Sequence, residues 1–339
     1  MSKTISAIIQ FVKNWTLPIS MITGALAYFA WRAIPCHEAY SGAVNSAIAW
    51  VQPVLIFCML LVSFCKVKIK EFALRRWHLW LCLFQVSMFS LLAFVACLNI
   101  DYNLKVVVEC AMLCFICPTA TASAVIVQKL GGSLSGVVTY IVLCNIMVSM
   151  LAPAFLTLVE PHSGMTFQTE FFMIMGKVFP LLLCPLLVAL CVRHYTPKLS
   201  EIFLRIKDLA FYLWLFALAF AIMVTVRTIV ESNIPMSVLF AFAIVSMLCC
   251  YMQFFFGRRI GQRWQQPSVD GEEIDSSISP RERSAITAAQ SFGQKNTVFI
   301  IWMGLVFLNP VTSVVGGFYS IWHNIINSWQ LAKKNKGKK

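Results

Sequence analysis

Hydrophobic residues in this chain form long, nearly uninterrupted runs separated by short polar segments. Each run has roughly 20 residues, the length that an α-helix needs to cross a bilayer. Because a backbone in lipid has to satisfy its own hydrogen bonds, and because the runs do not alternate like barrel strands, the pattern predicts a bundle of transmembrane helices. The ten predicted spans are approximately residues 15–34, 45–65, 77–98, 103–129, 133–159, 170–193, 204–230, 235–256, 284–308 and 310–332.

The amino-acid composition also indicates a membrane protein. The chain is 59% hydrophobic and only 12% charged, and its mean hydropathy is +0.78, values typical of a multi-pass membrane protein. The first run follows Lys3 and Lys13 and contains a passable signal-peptide cleavage site at residues 25–27. Since the run continues through Trp31, longer than a signal peptide requires, we interpret it as the first span.

Positive charge predicts the orientation of the bundle, because cytoplasmic loops are enriched in lysine and arginine. With both termini in the cytoplasm of a bacterial inner (plasma) membrane, most of the 27 Lys and Arg residues lie on the cytoplasmic side. The net charge of +13 follows from this bias and from a basic tail at residues 333–339 that faces anionic lipid. It therefore predicts a bilayer partner and no nucleic acid. The exceptions to the bias are Arg32, Lys105, Lys177, Arg227 and Lys295.

The 13 cysteines lie mostly inside apolar runs, which does not indicate a disulfide framework. Cys110, Cys114 and Cys117 are spaced to share one helix face, and three thiolates suit a soft ion. Since no histidine or acid accompanies them, we favour the interpretation that they are small residues that let helices pack closely.

Two of the predicted spans contain residues that break helices. In the fourth, Pro118 is followed by small polar residues, and unwinding is predicted near 117–121 because proline removes a backbone donor. In the ninth, "SFGQKN" at 291–296 interrupts the apolar run. Breaks in the fourth and ninth of ten spans are typical of secondary transporters with two inverted five-helix repeats, whose site lies where the half-helices cross. The predicted parts are residues 1–159, residues 160–332, and within the second a polar cytoplasmic linker at 257–283.

The motifs around both breaks resemble those of the bile acid:sodium symporter family. "CPTATASAVIVQKLGG" at 117–132 is similar to that family's "CPGGTAS" segment. "QSFGQKNTVF" and "GGFYSIWHNIINSW" are similar to its ninth and tenth spans, and the resemblance covers nearly the whole chain. It implies two inverted five-helix repeats, a panel domain of spans 1, 2, 6 and 7, and a core domain of the other six. Spans 4 and 9 would cross at the site.

The family binds two sodium ions, and this chain departs from its pattern of oxygen ligands. At the first site Ser123 is retained. At the second, Gln85 and Gln294 are retained, but the glutamate shared by both sites is absent. The resemblance thus implies that sodium coupling is lost at the first site and weakened at the second. Proton coupling is the alternative, and no other cofactor or metal is expected. The replaced ligand positions are Ala124, Val137, Ile141 and Gln290.

Lys295 stands where the family has an asparagine. A lysine in a span is expensive, and its ammonium could replace a sodium ion, carry a proton, or pair with an anionic substrate. A side chain that snorkels to an interface is the alternative, but the flanking Gln294 and Asn296 favour a polar cavity. The other candidate residues are Thr121 and Asn324, which align with substrate contacts, and His323, which would relay protons or make a structural hydrogen bond.

We therefore expect a secondary transporter that moves a small organic anion by alternating access. No nucleophile elbow, HExxH zinc motif or phosphate loop is found in the sequence, so an enzyme is not expected. Two alternatives stay open. One is a proton-linked or uncoupled exporter that resembles the arsenite exporters, whose broken-helix cysteine corresponds loosely to Cys117. The other is a membrane sensor that does not transport.

Overall fold

The computed structural model describes residues 16–35, 37–65, 72, 74–161, 164–196, 209–232, 234–265 and 278–336. These residues are 87% helical and form no β-strand. The elements are α1 (Thr16–Arg32), the 3₁₀ turn η1 (His37–Tyr40), α2 (Ser41–Cys65), α3 (Arg76–Ala96), α4 (Tyr102–Ile116), α5 (Ala122–Leu130), α6 (Leu134–Val159), α7 (Phe167–Tyr195), α8 (Leu209–Glu231), α9 (Met236–Arg263), α10 (Pro280–Gly293), α11 (Thr297–Phe307), the 3₁₀ turn η2 (Pro310–Ser313) and α12 (Val314–Lys336).

Within the described residues, six helices are each long and apolar enough to cross a membrane: α2, α3, α6, α7, α8 and α9. The chain is thus a helical, integral membrane protein, as its hydropathy predicts. The other four predicted spans do not form helices that are both long and apolar enough in the described residues. The first is described only from Thr16, the fourth and ninth are each divided into two short helices, and the tenth begins with the turn η2.

Side-chain contacts join the ends of helices into two separate groups. At one end, Cys97 donates to the carbonyl of Leu158, and Asn309 donates to the hydroxyl of Tyr102 at 2.6 Å. At the other end, side chains bind the backbone carbonyls of Gly136 and Cys65. Each group brings together only loops that the charge pattern predicts to lie on the same side of the membrane. The contacts at the second end are from His78 to Gly136 and from Arg193 to Cys65.

Small residues set the closest helix contacts. A Cβ atom added at Gly24 of α1 would lie 2.1 Å from the carbonyl oxygen of Ala219 in α8. Between α9 and α10, a Cβ added at Gly261 would lie 2.4 Å from the carbonyl oxygen of Ser284. Close approach of this kind is how small residues drive helix association in membranes, where burial of apolar surface gives little advantage.

The polar linker is shorter than the predicted 257–283. Helix α9 continues to Arg263, and α10 begins at Pro280 after a Ser279 cap. The prediction was wrong at its boundaries because it treated the first charged residues as the end of the helix. Instead Arg258 binds both carboxylate oxygens of Glu282 at 2.7 Å. Helix α12 likewise extends to Lys336, into the predicted basic tail. Residues 266–277 of the linker lie outside the described residues.

Candidate functional site: a crossing of two interrupted helices

Both predicted helix breaks are confirmed by the structure. Residues 117–121 separate α4 from α5, and residues 294–296 separate α10 from α11. Cys117 is extended (φ −54°, ψ 134°), as expected of a residue before proline, which disfavours the helical region. Gln294 is also extended (φ −88°, ψ 106°).

The two extended segments bind each other through their backbones. Thr119 and Lys295 form an isolated antiparallel β-bridge. On its two sides the N–H of Ala120 donates to the carbonyl of Gln294, and the N–H of Asn296 donates to the carbonyl of Pro118, both at 2.9 Å. A buried backbone group without a partner is costly, so this pairing is what allows two broken helices to meet inside the protein.

Two glutamines close the carboxyl end of α4, where the last carbonyls of a helix have no partner within it. Gln85 of α3 donates to the carbonyls of Ile116 and Cys117 at 3.3 and 3.4 Å. Gln253 of α9 donates to the carbonyl of Cys114 at 3.1 Å. Both glutamines are buried. The end of this half-helix is therefore held by neutral amides from two neighbouring helices.

Hydroxyl groups close the carboxyl end of α10 in a similar way. Thr119 donates to the carbonyl of Ser291 at 2.6 Å, and Tyr319 of α12 donates to the carbonyl of Gly293 at 2.9 Å. On the other side of the crossing, the side chain of Asn296 accepts from the backbone N–H of Phe299 and caps α11. The ends of α4, α10 and α11 at the crossing are thus capped by side chains of the protein.

Lys295 lies at the centre of this arrangement and is fully buried, with 0% of its surface exposed. Its Nζ is 4.9 Å from the centre of the Phe292 ring, a cation–π contact. Among the described residues it has no hydrogen-bond partner. Full burial is incompatible with a side chain that snorkels to an interface. Since α4 and α10 both end here, the negative ends of two helix dipoles favour a positive charge at this point.

A chain of side-chain amides runs from the crossing along α12. Gln294 donates to the side-chain oxygens of Gln290 and Asn327, the latter at 3.2 Å. Gln290 in turn donates to Gln330 at 2.7 Å. The structure thus brings Gln290 and Gln294 together. Among the described residues no hydrogen bond joins Gln85 to either of them, and the Gln85 amide binds the end of α4.

The first predicted ion site does not fit sodium in the described residues. The hydroxyl of Ser123 donates to the carbonyl of Ala120 at 2.6 Å, and Val137 and Ile141 are buried apolar side chains of α6. Sodium needs several oxygen ligands, and the side chains at these three positions offer one oxygen, the hydroxyl of Ser123. Apolar packing therefore occupies most of the predicted ion site.

The predicted substrate contacts lie in different surroundings. Thr121 precedes α5 and is partly exposed. Asn324 is buried and donates to the carbonyl of Ser320 at 2.8 Å, within its own helix. His323 is buried, and its ring meets the Tyr319 ring edge-on at a centroid distance of 5.8 Å. Tyr319 therefore links His323 to the capped end of α10.

Cys110 in α4 and Cys117 just after it bind different partners. Cys110 donates to the carbonyl of Thr312, and Cys117 donates to the carbonyl of Asn296 at 3.0 Å. No cluster of three or more His, Cys, Asp or Glu side chains suited to a metal occurs within the part of the chain that the structure describes. The thiol of Cys117 serves the crossing as a hydrogen-bond donor, and packing explains these cysteines better than a soft-ion site.

Three residues that matter to the structure were missed by the predictions from sequence: Gln253, Tyr319 and Glu109. Gln253 and Tyr319 bind the ends of α4 and α10, but nothing in their local sequence separates them from other polar residues in apolar runs. Glu109 had a signal, because it is an acid inside the fourth predicted span. It is fully buried in α4 and belongs to a separate cluster with Lys105 and Glu160.

Comparison with protein-family models and with curated proteins finds no match for this chain. Its function is therefore inferred from the geometry of the crossing.

Proposed function

We propose that this protein is a secondary transporter of the bile acid:sodium symporter type, which carries a small organic anion by alternating access. The observation that carries the proposal is the hydrogen-bonded crossing of two interrupted helices with the buried Lys295 at its centre. Interrupted helices are costly in a membrane and occur where irregular backbone lines a binding site or is buried in protein. Transporters of the inverted-repeat class place substrate and ions at such crossings.

The pattern of helix contacts supports the proposed inverted repeat. If α1–α6 and α7–α12 are equivalent halves, contacts should occur in matching pairs. The packing of α1 on α8 has its counterpart in α7 on α2, and that of α3 on α6 in α9 on α12. The pairs α5–α6 and α11–α12 match as well. In this proposal α4 with α5, and α10 with α11, are the fourth span of each half, which gives ten spans.

The same contacts support a division into two moving parts. Helices α1, α2, α7 and α8 pack on one another and would form the panel domain. The remaining helices surround the crossing and would form the core domain. The interface between these groups includes α2 with α11 and α8 with α12. Sliding at this interface would expose the crossing to either side of the membrane in turn.

We assign Lys295 the role of a resident cation in place of sodium. Its Nζ contacts the Phe292 ring in the last turn of α10, and we propose that this ring, together with the dipoles of α4 and α10, offsets the cost of burying the charge. Without a bound ion this charge would favour an anion at the amino ends of α5 and α11, next to Thr121 and Asn296. Because the ammonium is fully buried, we propose that it acts on the substrate through the field at the crossing, and not by direct contact in this conformation.

Uptake by proteoliposomes tests the proposal. Purified protein is reconstituted, and a panel of labelled organic anions is offered with sodium and proton gradients imposed separately. We expect saturable uptake of at least one carboxylate, and we expect the Lys295→Gln variant, reconstituted at equal density, to lose it. Failure of the parent protein to move, exchange or bind any anion of the panel would contradict the proposal.

A further inference from the structure

Glu109 is a buried acid that the proposed transport site does not use. It lies in α4, and its side chain is 1% exposed. Within the described part of the chain neither of its carboxylate oxygens has a hydrogen-bond donor. An ionised carboxylate in such surroundings is strongly disfavoured, because burial removes its hydration and no hydrogen-bond donor replaces the lost water.

One ammonium group serves two acids at this point. The Nζ of Lys105 lies 3.8 Å from Oε1 of Glu109, too far for a hydrogen bond. The same Nζ makes a closer ion pair with Glu160 at the end of α6. Lys105 and Glu160 are 28% and 36% exposed, so their charges are partly hydrated. The positive charge nearest Glu109 is therefore already balanced, and an ionised Glu109 would leave one negative charge in excess.

The two carboxyl groups lie on either side of this single ammonium, since Lys105 is within ion-pair distance of both Glu109 and Glu160. Two ionised carboxylates at one site repel each other, and the repulsion is removed when one of them carries a proton. Since Glu160 has the lysine and the better access to water, the proton belongs on Glu109.

No other described cation compensates for Glu109. The helices and turn that pack on α4 are α3, α9, α11, η2 and α12. Neither α11 nor η2 contains a charged residue. The basic residues of α3 and α9 lie towards the other end of the bundle, where His78 binds Gly136 and Arg258 binds Glu282. The other titratable neighbours are the thiols of Cys97 and Cys110; α12 carries the buried His323 and its terminal lysines.

We infer that Glu109 is a proton-binding site and that its proton is the coupling ion of transport, a role that rests on the proposed function. In the described conformation Glu109 is a neutral carboxylic acid and Lys105 pairs with Glu160. When Glu109 releases its proton to water and becomes a carboxylate, Lys105 moves from Glu160 to Glu109. The position of the Lys105 side chain thus depends on whether Glu109 is protonated, and this links the buried acid to the end of α6.

Infrared spectroscopy tests the proton site without any need for transport. We expect a protonated-carboxyl band at neutral pH in the reconstituted protein, lost in Glu109→Gln and kept in the exposed control Glu38→Gln. The conservative Glu109→Asp variant should retain a shifted band, which guards against a folding defect in the glutamine variant. Absence of the band from the parent protein, or its persistence in Glu109→Gln, would overturn the inference. Loss of the band on addition of sodium chloride in place of choline chloride would also overturn it, in favour of a sodium site.

A second measurement tests coupling. With an imposed proton gradient, Glu109→Gln should exchange substrate across the membrane at a rate comparable with the parent but no longer accumulate it. If Glu109→Gln still accumulates substrate in response to the gradient, the coupling role is wrong while the proposed function stands. If the parent moves no substrate, the proposed function fails, and the coupling role fails with it; the infrared experiment still decides whether Glu109 holds a proton.

Discussion

Thr119 and Lys295 pair as an antiparallel bridge between two segments that are more than 170 residues apart in the sequence. Each segment binds the end of the other segment's interrupted helix. Thr119 follows α4 and caps α10, while the backbone segment around Lys295 binds the residues that follow α4. The crossing is therefore one hydrogen-bonded unit. Substitutions on either side are expected to affect both interrupted helices together.

Replacing Thr119 with valine keeps the shape of the side chain but removes the donor to the carbonyl of Ser291. A buried carbonyl then loses its partner, and we expect the protein to be destabilised by about 1–3 kcal/mol. Thermal unfolding in detergent, followed by tryptophan fluorescence, measures the change. The matched control is Thr157→Val, whose hydroxyl binds the carbonyl of Pro153 within its own helix. An equal loss of stability in both variants would contradict a special role for Thr119.

Gln85 connects Tyr140 to the end of α4, since it accepts from the Tyr140 hydroxyl at 3.0 Å and donates to two carbonyls. We expect Gln85→Leu to destabilise the protein and Tyr140→Phe to add little once Gln85 is absent. A double-mutant cycle should give a coupling energy of about 0.5–3 kcal/mol. Gln52→Leu is the control, because the buried Nε2 of Gln52 has no partner among the described residues. Strictly additive effects would show that Tyr140 is not coupled to Gln85.

Access to the crossing differs between two neighbouring residues. Thr121 is partly exposed, whereas Ser123 is buried with 0% exposed. In a background without reactive native cysteines, Thr121→Cys should react with a membrane-impermeant thiol reagent, and Ser123→Cys should react much more slowly. Adding the reagent to one side of sealed vesicles at a time identifies the side. Reaction at Ser123→Cys with Thr121→Cys protected would show that the cavity lies on a different face of α5.

Transport is expected not to require sodium. Ala124, Val137 and Ile141 offer no side-chain oxygen, and Gln290 offers an amide already bound to Gln294 and Gln330. Replacement of sodium with choline at constant ionic strength should leave the initial rate of uptake nearly unchanged. A steep and saturable dependence on sodium would contradict this expectation and show that the ion binds through other groups of the protein.

Much of the fold was predictable because the signals are local. Apolar runs of membrane length predict α2, α3 and α6–α9, and Pro118 and Gly293 predict the two breaks. The partners of the broken ends were not predictable, since Gln253 and Tyr319 reach the crossing only through tertiary packing. The boundary of the linker failed for a related reason. Gly257 and Gly261 let α9 pack closely on α10 beyond its apolar part, a contact that hydropathy alone does not detect.

The central claim is that the positive charge of Lys295 at the helix crossing replaces a sodium ion in transport. Its most direct test is the initial rate of anion uptake by proteoliposomes that contain the parent protein, Lys295→Asn, Lys295→Gln or Lys295→Arg at equal density. Both neutral variants should lose uptake. Arginine should retain binding of the anion but cycle slowly, because the guanidinium is larger than the ammonium. Uptake by Lys295→Asn and Lys295→Gln that is indistinguishable from that of the parent protein would contradict the claim.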